Sequence, residues 1–122
     1  MSLDINIDNL DKIRDECLDK LKKQELELNS SRVQLFWEDV KKRDSARAEK
    51  FFKERRVIVD QRVKLENIIL TRIAQSLNEL EDDLKEGCDN LQMQIDNLND
   101  EVAFLNVVSH VTGILARILL LF

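Results

Sequence analysis

One histidine, two cysteines, a run of carboxylates and a block of bases are the side chains here whose types bear on chemistry. His110 stands alone between Ser109 and Val111, with no Glu-x-x-His before it. One chain therefore cannot build a two-histidine zinc or di-iron site on its helices, and a core or boundary histidine is expected rather than a base. Cys17 and Cys88 lack Cys-x-x-Cys or any other metal spacing, and read as reduced, partly buried thiols on helix faces. The carboxylates Glu79, Glu81, Asp82, Asp83, Glu86 and Asp89 lack the Asp-x-Asp-x-Asp-Gly pattern that wraps oxygens around calcium. They read as a solvated helix face. Gly87 and Gly113 are isolated, so no loop cradles phosphate. Ser45, Ser76 and Ser109 have no glycine-flanked elbow to sharpen a nucleophile. Neither a catalytic residue, a metal, a cofactor nor a small-molecule substrate is expected, and the chain does not read as an enzyme.

The bases make the stronger claim. Lys42, Arg43, Arg47, Lys50, Lys53 and Arg56 recur at three- and four-residue steps and line one side of a helix. Such a stripe neutralises lipid headgroups or nucleic-acid phosphates. The competing expectation is internal: a turn at Asn29–Ser31 sets Asp11, Asp15 and Asp19 opposite residues near 49, 45 and 41. A net charge of −5 argues against nucleic acid as the main partner. Charge is blocked along the chain, with ten bases against four acids from Lys41 to Lys64, and nine acids against Lys85 from Ser76 to Glu101. Such blocks constrain which segments lie side by side.

The elements that carry these residues read as helices throughout. At 122 residues with two Gly and no Pro, the chain is one domain of long helices and few loops, all-α in class. Leu3, Ile5 and Ile7 alternate with polar residues over too short a run for a strand. Leu10, Ile13, Cys17 and Leu21 predict a first helix over 9–28, and Ser31 with Gln34 matches a capping box for the next. That second helix runs without a breaker over 32–86. It contains Val57–Leu77, the aliphatic stretch around which the rest is arranged, with an apolar face too wide for a two-stranded seam. At Gly87–Asp89 two architectures diverge. A turn there gives a third helix over 89–121 and an antiparallel bundle, with residue i beside about 175 minus i and Val102–Leu119 against Leu77–Val57. A continuous helix over 32–112, with a stutter between Leu84 and Cys88, gives an antiparallel dimer instead. Burying aliphatic side chains, about 1.5–3 kcal/mol each, outweighs exposed ion pairs at about 0–1 kcal/mol. That favours the hairpin, itself expected to dimerise.

Val102–Phe122 is the most apolar segment, yet Asn106, Ser109, His110, Thr112 and Arg117 argue for a buried bundle helix rather than a membrane span. Its end, Leu119–Phe122, has no polar tail and is expected to be covered by another subunit, a partner or a membrane surface. The sequence thus predicts a non-enzymatic scaffold or interaction domain that self-associates or binds a helical partner. Phe36, Trp37, Leu105, Val108, Ile114, Leu115, Ile118 and Leu119 form the expected contact surface. The alternative is a peripheral membrane protein held by the 102–122 helix and the 41–56 bases. No secretory signal opens the chain, and a cytoplasmic location follows as the expectation.

Overall fold

Helical periodicity runs through the whole of the described chain, but it is cut in more places than the pattern alone marks. The computed structural model describes residues 7–121, which form five helices and no strand. These are α1 (Ile7–Leu28), α2 (Ser31–Arg43), α3 (Ser45–Asn67), α4 (Leu70–Asp96) and α5 (Glu101–Ile118). Leu3 and Ile5 of the short alternation, and the terminal Phe122, lie outside the described residues.

The expected 32–86 helix is three pieces. Asp44 ends α2 and starts α3: at φ −150° and ψ 86° its carboxylate accepts the Arg47 N–H at 3.0 Å. That satisfies a backbone donor which a new helix leaves orphaned. The second cut, at Ile68 and Ile69, has no side-chain cap, only two extended β-branched residues at ψ 146° and 120°. Ile68 packs on the core while Ile69 stands in solvent, so the apolar period is interrupted at the break. At the first break the cap is Ser30, not Ser31: its hydroxyl accepts the Val33 N–H at 3.3 Å, and Gln34 instead donates to Glu38.

Gly87 corrects the larger expectation. It lies inside α4 on the buried face, where a Cβ would meet Val111 Cγ2 at 3.2 Å. Its missing side chain admits α5 rather than turning the chain. The turn comes ten residues later, through Asn97–Asp100, and Asp100 caps α5 by accepting the Ala103 N–H at 3.0 Å. Helix α4 therefore continues across the Leu84–Cys88 stutter, and the expected 89–121 helix shortens to α5. Gly87 faces Val111, and the Ser76 hydroxyl donates to the Ile118 carbonyl at 2.6 Å. The 175-minus-i register is displaced accordingly, and α5 has α3 as its other neighbour, running parallel to it.

Pairings define four columns. Helix α1 runs parallel to α4, through Lys85–Glu16 at 2.8 Å and Lys20–Asp89 at 2.9 Å, and antiparallel to the second half of α3, through Arg62–Glu25 at 2.6 Å. Because the chain reverses at Asp44, α2 takes the first half of α3: Trp37 stacks on Phe51 at 4.3 Å and Arg55 donates to Gln34. The expected pairing of Asp11, Asp15 and Asp19 with residues 49, 45 and 41 is thus replaced. Consecutive helices α3 and α4 do not pair substantially and occupy opposite corners of the bundle.

The core is aromatic at one end and aliphatic elsewhere. Phe104 of α5 meets the Trp37–Phe51 stack edge-on at 5.6 and 5.4 Å, with Phe36 beside it at 6.2 Å. Leu21, Ile58, Leu65, Leu77, Leu84, Leu91 and Leu115 fill the remainder. Buried amides set the register between columns, since an unmatched polar group in that interior costs about 1–3 kcal/mol. The Gln24 amide donates to Gln92 at 3.1 Å, and that of Gln61 to the Thr112 carbonyl at 3.1 Å.

Candidate interaction surfaces

The eight residues expected to form a contact surface are mostly spent inside the chain. Trp37, Val108, Leu115 and Ile118 are fully buried, Leu105, Ile114 and Leu119 nearly so, and only Phe36 is partly open. The amphipathic faces that define the helices are the faces the bundle consumes, so an apolar period could not separate an outside partner from the chain's own core. This surface is core.

The basic stripe is divided by the same reversal that splits the second helix. Lys42 lies on α2 beside Asp39, 3.7 Å away. Arg43 and Arg47 approach from two helices onto one carboxylate, Glu101, at 3.0 and 2.8 Å. They tie α2 and α3 to the start of α5. Lys50, Lys53 and Arg56 remain exposed on the outer face of α3, with no ion pair among the described residues. An open groove of about 480 Å³ beside the Arg43–Glu101 pair is lined by Phe36, Asn99, Asp100 and Val102. Of its charged groups, Arg43 and Glu101 are paired with each other and Asp100 caps α5.

On the opposite corner, the outer face of α4 carries the carboxylates. Glu79, Asp82, Asp83 and Glu86 are exposed without an ion pair among the described residues, whereas Glu81 is engaged by Lys85 at 3.2 Å and Asp89 by Lys20. Helix periodicity puts 79, 82, 83 and 86 on one side, as it puts 50, 53 and 56 on one side of α3. Each row is one to two turns long and they point away from each other across the bundle. The outer face of α5 between them, Asn106, His110 and Gly113, carries no Asp, Glu, Lys or Arg. His110, expected in the core or at its boundary, is exposed.

The cysteines, 71 positions apart in sequence, lie on the facing sides of α1 and α4. Burial pushes the Cys17 thiol up to about 11 and the Cys88 thiol to about 12, the latter raised further by Cys17 itself. Both are free and buried. Protonated thiols without solvent access serve as apolar filling rather than as nucleophiles. No group of three or more His, Cys, Asp or Glu among the described residues is placed to hold a metal ion.

One helix, α5, is long and apolar enough to cross a membrane by length and composition, and much of it is buried between α3 and α4. No family model matches the chain, and searches of curated proteins and of solved structures find none similar to it.

Proposed function

We propose that this chain is a non-enzymatic scaffold module whose copies associate side to side. The basic row of α3 (Lys50, Lys53 and Arg56) meets the acidic row of α4 (Glu79, Asp82, Asp83 and Glu86) of the next copy. The observation that carries this reading is the separation of two unpaired, oppositely charged rows onto opposite corners of one bundle. Two copies related by a twofold axis through either corner would set like charges together. The contact is therefore head-to-tail, leaving a free row at each end, and it builds chains or rings rather than a closed dimer. The apolar helix faces take no part, since each copy buries its own.

Exposed ion pairs contribute about 0–1 kcal/mol each and are screened beyond about 10 Å at 0.1 M salt. Association is accordingly weak, concentration-dependent and salt-sensitive. Sedimentation velocity at low and high ionic strength tests this. The expected result is a mass that grows with concentration at low salt and falls to one chain at high salt. The triple variant K50E/K53E/R56E stays monomeric alone, as does E79K/D82K/D83K, and mixing the two restores association. A wild-type chain that stays monomeric at low salt and high concentration overturns the reading.

A further inference from the structure

Exposed aliphatic side chains gather where α1 and α4 begin and α3 and α5 finish. Ile69, between α3 and α4, is 62% exposed, and Leu120 and Leu121, just after α5, are 49% and 43% exposed. Two hydrogen bonds bring these termini together: Ser76 to the Ile118 carbonyl, and Arg14 to the Ile68 carbonyl at 3.2 Å. Among them stand Lys64, Arg72 and Arg117, exposed and without an ion pair among the described residues. Of the nearby acids, Asp11 is held by Arg14 and Glu66 by Arg62, and Asp8 stands exposed in the first turn of α1. This pole is apolar at its tip and basic at its rim in a chain whose net charge is −5.

The turn that presents the leucines is costly. Leu121 N–H donates to the Ala116 carbonyl at 2.8 Å and Leu120 N–H to that of Arg117 at 3.3 Å. This Schellman closure normally places glycine at the left-handed position. Here that residue is Leu120, with φ 59°, the one positive φ of a non-glycine residue among those described. Its Cβ opposes that conformation, and its side chain is half in water, so neither the turn nor the core accounts for a leucine there.

We infer that this pole docks on an anionic lipid surface. Ile69, Leu120 and Leu121 enter the headgroup layer, and Lys64, Arg72 and Arg117 meet lipid phosphates and carboxylates. Aliphatic tips ringed by unpaired bases fit an interface that is apolar beneath and negative above. A second copy's pole fits poorly, because it would bring bases against bases. The inference is independent of side-to-side association, since it uses the end of the bundle and not its flanks.

Co-sedimentation of the full chain with phosphatidylcholine vesicles, with and without phosphatidylserine, tests it. Binding is expected only with phosphatidylserine, weakening as salt rises. Arg72→Glu and Arg117→Glu each weaken it by about fivefold or more. Leu120→Gly is the diagnostic variant: the chain folds at least as well in urea, yet binds more weakly. Leu35→Ser, an exposed residue on α2, leaves binding unchanged, and so does K50E/K53E/R56E, whose effect belongs to the flank. Absence of binding to the anionic vesicles at low salt overturns the inference, as does binding that the pole variants leave intact. A pole variant that changes sedimentation mass without vesicles, with no vesicle binding by wild type, assigns the pole to contact between copies and also overturns it.

Discussion

Gly87 on α4 faces Val111 on α5, with 3.2 Å left between Val111 Cγ2 and the Cβ that Gly87 lacks. The other glycine, Gly113, is exposed on α5 with nothing within 4 Å of such a Cβ. The two should respond oppositely to substitution. Gly87→Leu overpacks the interface and lowers stability by about 1–3 kcal/mol. Gly113→Ala gains helix propensity without a clash and raises it by about 0.5–1 kcal/mol. Urea midpoints at unchanged slope measure both.

Trp37 is the only tryptophan and has no exposed surface, stacked on Phe51 with its indole N–H unpartnered. Native emission should be blue-shifted and resistant to iodide quenching, and should move red in one step on unfolding. Trp37→Ala removes the stack and costs about 3–5 kcal/mol. Trp37→Phe, which also removes an unsatisfied donor, costs clearly less.

Asp44 holds the reversal that pairs α2 with α3. Asp44→Ala should cost about 1 kcal/mol by leaving the Arg47 N–H uncapped, whereas Asp44→Ser or Asp44→Asn keeps most of the stability. Chemical denaturation of the three variants separates the cap from the charge.

The cysteine thiols give a pH dependence with a definite sign. In the unfolded chain they ionise near their ordinary value, about 8.5, but in the folded chain near 11 and 12. The folded state holds these protons longer, so this stability is complete below about pH 8.5 and is lost as pH rises toward 11–12. Denaturant midpoints should fall across that window, and less so in C17A/C88A. At pH 8 neither thiol should react with a disulfide reagent until urea opens the bundle.

Much of the core was legible from period alone, because helices bury the residues that recur every three and four. Within Val57–Leu77 the spacing of Ile58, Leu65, Ile73 and Leu77 is that of one helix face, and all four are buried. Ile69 belonged to the same pattern and stands in solvent, because the chain leaves the helix at Ile68 and a period read across a break assigns no side. The break at Asp44 did carry a local signal, the basic last turn Lys41-Lys42-Arg43 before a capping aspartate. The turn at Asn97–Asp100 carried one too, two asparagines and an aspartate. A lone glycine, Gly87, outweighed it in the sequence because a turn and a close helix approach both call for glycine. The break at Ile68–Ile69 left no trace in residue type. The apolar contact residues were misplaced for a different reason: amphipathicity marks a face that needs covering, and this chain covers its own.

The pairing of α1 with α4 sets an order of events during synthesis. Glu16 and Lys20 await Lys85 and Asp89, 69 residues downstream in each case. The first helix leaves the ribosome with Leu10, Ile13, Cys17 and Leu21 unclaimed, and of its two neighbouring columns α4 is made only after α2 and α3. The hairpin of α4 and α5, closed by four residues, forms locally and last. A nascent chain stalled after α3 would therefore expose the apolar faces that the finished protein hides, which makes the interval before α4 emerges the period when a chaperone would matter most.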